Sequence, residues 1–467
     1  MNSYKKLFNN VLIFSLGNLG SKVITLILVP IYTYYLSQAE YGTVDLVTVT
    51  VSMLVPIVSA SMSEAVLRYV MDEDYLNGDV LYNALGLSLF GYLILVLVYP
   101  ILNYFGVLDD QLIYLYILLL IQMLNQISSQ YIRGIGLVKQ FAINGMLTTF
   151  ITGILNILFL VEFSWGVAGY FSAMTISYVI STFYLLFYIN PFKSLKSVAF
   201  NKKLLQQMLT YSIPLIPNSL MWWAVNSSSR FIISAFIGTS ANGLFAVSSK
   251  IPFVINLVSQ VFSQGWQLSA FENYENGNKK FYSEIFNLYS AILLLATSFI
   301  IIILKPLFQI LFAQNYFESW MPVPFLLLAS TFSALSGFIG VSYTAAKSTR
   351  GVFKTSAVGG VASIVLNFLL IPTFGIVGAG ISSMISFFIM FYARYLGTKE
   401  LISIDVAWKK MIVSLIIIFI QIFVTFENLN TQMEILITAL FFIVNIILNY
   451  QQINFLTINL LKLVKNK

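Results

Sequence analysis

Long apolar stretches recur along almost the whole of this 467-residue chain, and they constrain its fold more than any other feature. A run of about 18 or more apolar residues crosses a bilayer as a helix, because a helix satisfies its own backbone hydrogen bonds in lipid. Charged residues make up 9% of the sequence, whereas a soluble domain carries about 25%. The sequence therefore predicts an all-α polytopic membrane protein.

Breaks at charged turns and at turns containing Gly or Pro predict about fourteen transmembrane helices. Their approximate boundaries are residues 11–36, 44–70, 80–104, 111–131, 141–161, 166–189, 211–237, 243–268, 283–312, 320–345, 355–373, 376–396, 410–426 and 435–453. The first stretch follows Lys5 and Lys6 and lacks a small-residue cleavage site, which indicates a retained span rather than a signal peptide.

The basic residues favour one orientation for these spans. With the N-terminus inside, roughly 20 of the 25 Lys and Arg residues fall in cytoplasmic loops and tails, Arg394 among them. Acidic residues such as Glu40, Glu318 and Glu434 occupy the outer turns instead. This pattern predicts that both termini are cytoplasmic. Contact of the loop lysines with anionic headgroups accounts for the net charge of +7, so no nucleic-acid partner is expected.

The sequence contains no Cys and no His, which excludes disulfides, thiolate metal sites and most general-base chemistry. No predicted loop exceeds about 20 residues, so neither an attached ATPase domain nor a large outer catalytic domain is expected. We therefore expect no metal, no cofactor and no enzymatic activity.

An internal repeat relates the two halves of the chain. The segment from Lys139 to Asn156 resembles the segment from Arg350 to Asn367, and each is followed by a similar Gly-rich helix. An even number of spans separates the copies, so a pseudo-two-fold axis along the membrane normal is expected. The predicted organisation is a six-helix N-lobe (1–192), a six-helix C-lobe (193–400), and two extra spans with a basic amphipathic tail (401–467). Two lobes around a midplane cavity are typical of alternating access.

Five basic residues are left after those assigned to cytoplasmic loops and tails are counted, and within a span a charge is costly unless it faces a cavity or a partner. They are Lys22, Arg68, Arg230, Lys250 and Lys305. Arg230 and Lys250 flank the same outer turn and lie at similar depth, roughly 11 Å in at 1.5 Å per residue. A cationic cavity for an anion such as a lipid phosphate is the favoured interpretation, and snorkelling to headgroups is the alternative. For Lys305 both interpretations stay open.

Acidic residues supply two candidates for ion coupling in the second span. Glu64 and Arg68 are spaced i, i+4 in the order that favours a helix ion pair, so a structural pair is the favoured interpretation. Asp45 lies just inside the predicted outer end of this span and is expected at the membrane interface.

The seventh span carries a polar and aromatic segment that does not suit contact with lipid. Pro214 and Pro217 bend the helix, and Trp222, Trp223 and Asn226 follow them. Trp faces stack on sugar rings and amides satisfy hydroxyl groups, so this segment is predicted to bind carbohydrate. An aromatic belt at the interface is the alternative.

The densest motifs of the chain lie in spans seven and eight. The segments Tyr211–Trp223, Asn226–Ile233, Ala246–Pro252, Gln264–Gln267 and Phe374–Ala379 resemble the polysaccharide repeat-unit flippases (Wzx-type) of the multidrug/oligosaccharidyl-lipid/polysaccharide exporter superfamily. The resemblance extends over nearly the whole chain. Ser229 stands where an Asp often precedes the Arg in this family, so a local Asp–Arg pair is absent.

The resemblance implies transport of undecaprenyl-diphosphate-linked oligosaccharide from the inner to the outer leaflet of a bacterial cytoplasmic membrane. Its implied partners are this lipid-linked oligosaccharide, membrane lipids, and a polysaccharide polymerase or other export machinery. It implies neither the glycan nor the coupling ion.

Two alternatives stay open. A multidrug/cation antiporter of the same superfamily should depend on acidic cavity residues, and the excess of basic residues argues against it. A membrane-embedded glycan polymerase or glycosyltransferase usually needs a large outer loop or catalytic carboxylates, and the outer turns are short.

Overall fold

A computed structural model describes residues 24–72, 74–106, 108–189, 200–275, 279–346, 349–427, 429–452 and 454 of the chain. The regular elements within these ranges are all helical, and apart from two 3₁₀ segments (Asp109–Gln111 and Gln314–Trp320) and one π-helical segment (Ile157–Glu162) they are α-helices. They are α1 (Ile24–Tyr35), α2 (Gln38–Val58), α3 (Met62–Val70), α4 (Asn77–Tyr104), α5 (Leu112–Gly134), α6 (Val138–Asn156), α7 (Gly166–Ile189), α8 (Lys202–Ser212), α9 (Leu215–Phe236), α10 (Thr239–Ser248), α11 (Phe253–Glu275), α12 (Lys279–Leu311), α13 (Val323–Ala345), α14 (Thr349–Gly397), α15 (Trp408–Phe426) and α16 (Thr431–Leu448). Lys22 and the predicted amphipathic tail lie outside the described residues.

Ten of the described helices are long and apolar enough to cross a membrane, or eleven if α10 and α11, which meet at 49°, form one broken span. The 49-residue helix α14 is divided at Gly375, whose φ of 60° and ψ of −141° are not helical. Its two arms overlap the predicted spans 355–373 and 376–396. The prediction of an all-α polytopic membrane protein is confirmed, and the total of fourteen spans stays a prediction.

The second predicted span, 44–70, is two helices rather than one. Ser37 begins α2 with a capping box, because its hydroxyl accepts from the Glu40 amide at 3.3 Å while its own amide donates to the Glu40 carboxylate at 2.8 Å. Pro56 and the left-handed residues Ala60 and Ser61 then separate α2 from α3. The membrane helix therefore starts six residues earlier than hydropathy indicates, and Asp45 lies two turns inside it.

The described residues form two compact units, the first ending at Trp223 and the second beginning at Ala224. The core of the first unit includes Met62, Met123 and Leu185 from three different helices. The amphipathic helix α8 adds Leu204 and Met208 to this core and is tied to it by a 2.8 Å hydrogen bond from the Tyr75 hydroxyl to Gln207. The lobe boundaries at residues 192 and 400 and the pseudo-two-fold axis stay predictions.

In the second unit, buried polar contacts join α15 and α16 to α12. The Ser298 hydroxyl donates to the Gln421 side chain at 2.7 Å, and the Gln421 amide donates to the Thr438 carbonyl at 2.8 Å. Lys305 donates to the Glu434 carboxylate at 2.8 Å, and its ammonium lies 4.6 Å from the Trp320 ring centroid. In lipid such contacts supply helix association that apolar packing alone does not, so these two C-terminal helices are specifically docked.

We predict that Lys305→Met destabilises the protein by about 3 kcal/mol, because it leaves the buried Glu434 carboxylate without its cation. The double variant Lys305→Met/Glu434→Leu should recover most of this loss, since removing both charges also removes their desolvation cost. Thermal unfolding in detergent measures both effects.

Lys280→Met is the matched control on the same helix. Lys280 is 84% exposed and lies 3.8 Å from Glu284, so its loss should change little. A double variant no more stable than Lys305→Met would show that the loss of stability does not come from an unpaired Glu434 carboxylate.

Candidate functional site

The second unit contains a cavity of about 280 Å³ between helices α9, α10, α11, α13 and the second arm of α14. Its polar lining consists of Asn226, Ser227, Arg230, Ser249, Asn256, Ser330 and Ser383. Phe245, Phe387 and Leu326 add apolar surface. A concave site that combines hydroxyls, amides, aromatic rings and one cation suits a polar or anionic ligand of limited size.

Arg230 supplies the charge of the described cavity lining. It is 9% exposed, and its guanidinium donates to the Asn226 carbonyl at 2.8 Å and to the Ser249 hydroxyl at 3.1 Å. The guanidinium carbon also lies 5.6 Å from the ring centroid of Phe245. The first acceptor belongs to α9 and the second follows α10, so two elements orient this side chain at the cavity wall.

A short non-helical turn between α10 and α11 borders the cavity. Ser249 and Pro252 line it, and Asn256 lies at the start of α11. Broken helices are found at membrane depth where they line a cavity, and in transporters they form substrate and ion sites. Lys250 is in the same turn, half-buried, but it is not part of the described lining. A shared ligand of Arg230 and Lys250 stays a prediction.

Buried amide contacts fix α9 against the first arm of α14. The Asn367 side chain donates to Ser228 at 3.2 Å and to Ser363 at 3.3 Å, and Asn367 is 1% exposed. Its counterpart in the predicted repeat, Asn156, is also fully buried and donates to the Thr152 carbonyl at 2.9 Å. Both asparagines of the repeat are therefore buried, but the Asn367 amide joins two helices whereas the Asn156 amide bonds within its own helix.

Only part of the span-seven segment that is predicted to bind carbohydrate lies at the cavity. Asn226 lines it together with Arg230. Trp223 instead donates to the Val49 carbonyl of α2 at 3.2 Å, within the first unit, and neither Trp222 nor Trp223 belongs to the described lining. Helical periodicity does not explain the difference, because Trp223 shares a face of α9 with residues 227 and 230. The two tryptophans lie one turn earlier along the helix, before the described lining begins.

The remaining predicted site residues lie elsewhere. Glu64 and Arg68 are exposed on α3, and no ion pair joins them in the described part of the chain. Lys305 pairs with Glu434. Asp45, which is expected at the interface rather than buried, is 6% exposed and lies two turns inside α2. In the same unit as Asp45, the ring centroid of Tyr32 lies 5.0 Å from that of Tyr170. No cluster of three or more potential metal ligands occurs among the described residues.

Arg394 is expected among the cytoplasmic basic residues, but the structure buries its side chain. It is 2% exposed and donates to the Ser336 carbonyl, the Thr355 hydroxyl and the Ser356 hydroxyl. Its position inside the predicted span 376–396 was the available signal. Glu434 is likewise expected in an outer turn, but it lies in the first turn of α16 and is buried against Lys305.

Solved structures of membrane transporters share this fold. A lipid II flippase MurJ in an inward closed conformation matches with a TM-score of 0.69 and 15% identity, over 95% of this chain and all of that one. An inward-facing MATE family multidrug transporter of the MOP superfamily matches with a TM-score of 0.67 and 14% identity, over 82% of this chain and 95% of that chain. A mutant of the Vibrio cholerae MATE transporter VcmN matches with a TM-score of 0.60 and 13% identity, over 86% of this chain and 98% of that chain.

These likenesses define the class of the fold as that of the MATE and MurJ transporters. The family model for polysaccharide biosynthesis proteins matches residues 7–266, which is more than half of the chain. The chain belongs to this polysaccharide biosynthesis protein family. The resemblance to a polysaccharide biosynthesis family that the sequence motifs indicate is thereby confirmed, and the fold of the chain is that of the MATE and MurJ structures. No curated protein sequence matches the chain significantly.

The absence of Cys from the sequence makes the cavity directly testable. We predict that Ser383→Cys, in the cavity wall, reacts with a small neutral thiol reagent about tenfold or more faster than Ser298→Cys. Ser298 is fully buried between α12 and α15, so a cysteine there reacts only through local opening. Labelling rates in detergent measure the difference, and equal rates would show that the cavity is closed to small molecules.

Proposed function

We propose that this protein is a flippase that moves undecaprenyl-diphosphate-linked oligosaccharide repeat units from the inner to the outer leaflet of a bacterial cytoplasmic membrane. The observation that carries the proposal is the Arg230 guanidinium, held at the wall of a polar cavity inside a membrane-embedded helical unit. Membership of the polysaccharide biosynthesis protein family supports the substrate class.

The chemistry of the cavity matches parts of such a substrate. A guanidinium presents several N–H groups in a rigid fork and binds phosphate oxygens through charge-assisted hydrogen bonds. The neighbouring hydroxyl and amide side chains can exchange hydrogen bonds with sugar hydroxyls, which would otherwise lose their water on entering the membrane. Its volume lies at the lower end of the range for ligand sites, so it would hold one moiety of the substrate rather than the whole.

Transport by alternating access, without covalent chemistry, is the mechanism we propose. The chain has no Cys or His to serve as nucleophile or base, and its loops are too short for an added catalytic domain. These features argue against the polymerase or glycosyltransferase alternative. The orientation with both termini cytoplasmic, and cooperation with a polysaccharide polymerase, are parts of the same proposal.

A multidrug or cation antiporter is the second candidate function. The likeness to MATE transporters and the buried carboxylate of Asp45 in the first unit support it. The arginine in the wall of the described cavity argues against a cationic substrate there. Asp45 then remains a candidate for ion coupling under either function, and exposed Glu64 is the weaker one.

We predict that Arg230→Ala lowers export on the order of tenfold or more, because a charge-assisted contact to a charged group contributes about 1.5 to 3 kcal/mol. Arg230→Lys should restore part of the activity, and Arg230→Glu should be worse than Ala because it adds repulsion. Lys250→Ala should also weaken export if Lys250 contacts the same anion. Flipping of a fluorescent undecaprenyl-diphosphate sugar in proteoliposomes measures each variant.

Arg350→Ala is the matched control, since Arg350 is an exposed arginine at the start of α14. Its flipping rate should equal that of the parent protein. Complementation of surface polysaccharide, with protein levels checked by blot, gives the corresponding measurement in cells. Normal export by well-expressed Arg230→Glu would refute the anion site.

We also predict that flipping responds to membrane potential. Outward movement of a diphosphate carries negative charge away from an inside-negative compartment, which is favourable by about 2.3 kcal/mol per charge per 100 mV. Imposing a potassium diffusion potential of either sign on the proteoliposomes should accelerate or slow flipping accordingly. A rate indifferent to the potential would mean that net charge is not moved in the limiting step.

A further inference from the structure

Arg394 is a buried arginine that has no role in the function proposed above. It lies near the end of the second arm of α14 and is 2% exposed. Burying a guanidinium is costly, so its contacts within the protein must compensate for the water that it loses. The contacts of Arg394 are therefore more than incidental packing.

Its guanidinium joins three helical segments at one point. Nη1 donates to the Ser336 carbonyl of α13 at 3.0 Å. Nε and Nη2 donate to the Thr355 and Ser356 hydroxyls, in the first arm of α14, at 3.2 and 3.0 Å. Because the guanidinium is planar and rigid, these bonds hold α13 and both arms of α14 at set distances from one another.

Two of these three segments also form walls of the Arg230 cavity. Ser330 of α13 is six residues before Ser336, or roughly 9 Å along the helix, and Phe387 is seven residues before Arg394, or roughly 10 Å. The bonds of Arg394 to Ser336, Thr355 and Ser356, called the clamp below, therefore lie about two turns from the cavity along both walls. A change in helix spacing at the clamp would be transmitted to the cavity, because the helices between the two points are rigid and closely packed.

The space around Arg394 is closely matched to its side chain. A Cβ added to Gly340 of α13 would lie 2.7 Å from Nη1 of Arg394. A Cβ added to Gly337, one turn earlier on the same helix, would meet nothing within 4 Å. An alanine at position 340 would therefore displace the end of the Arg394 side chain, whereas an alanine at position 337 would not.

We infer that Arg394 is a positioning residue, whose bonds to Ser336, Thr355 and Ser356 set the spacing of the walls of the Arg230 cavity. This inference concerns the cavity itself and holds whichever ligand the cavity binds. A positioning role explains why Arg394 is buried although it need not contact the proposed substrate.

The experiment measures thiol labelling of Ser383→Cys in the full-length protein in detergent. Gly340→Ala, which displaces the guanidinium without removing it, and Arg394→Lys, which keeps the charge but lacks the planar guanidinium fork, should each change the labelling rate by about fivefold or more. Gly337→Ala should label at the rate of the parent Ser383→Cys protein. If Arg394→Lys does not fold, the comparison of Gly340→Ala with Gly337→Ala still decides.

Labelling of Ser298→Cys, with and without Gly340→Ala, distinguishes positioning from general loosening of the unit. The inference requires that the rate at Ser298→Cys stay unchanged when the rate at Ser383→Cys changes. It is overturned if Gly340→Ala and Arg394→Lys label Ser383→Cys at the parent rate. It is equally overturned if both cysteine positions change by the same factor, because the clamp would then stabilise the fold without setting the cavity.

Discussion

The requirement that every buried polar group be satisfied without water governs this protein. In a bilayer the backbone meets this requirement by forming helices, which is why every described regular element is helical. Side chains must meet it through contacts between helices. Apolar surfaces lose little by facing lipid, so the polar contacts decide which helices pack together.

The polar side chains of the second unit are of two kinds. Some bond to one another between packed helices, and others line the cavity. Gln421 bridges Ser298 and Thr438, and Lys305 meets Glu434, so that the groups on each helix satisfy one another. At the cavity the hydroxyls and amides surround open volume instead. A polar lining kept around open space in a membrane protein is costly unless a ligand or water occupies it, and it therefore indicates a site.

The two arginines of this unit illustrate the same distinction. Arg230 reaches the cavity wall with bonds to one backbone carbonyl and one hydroxyl, whereas the bonds of Arg394 join three packed segments away from the cavity. For Arg230 the proposed ligand is a phosphate-bearing, sugar-bearing lipid, a proposal that membership of a polysaccharide biosynthesis family supports. The burial of Arg394 is explained by its bonds between the three helical segments alone. Both residues are basic and lie within spans, yet their environments assign them different tasks.

The sequence by itself determined the helical membrane fold, because hydropathy and charge distribution act locally and bilayer thickness sets the span length. It also singled out Arg230 and Asn226, since a polar run within a span is costly wherever it packs. Only the tertiary structure decided which charges face which partners. Lys305 and Glu434 are 129 positions apart, and Arg394 reaches Ser336 across 58. Such pairings depend on which helices become neighbours, and a single sequence carries no local signal for that. The depth of Asp45 likewise depended on a capping box that moved the start of its helix.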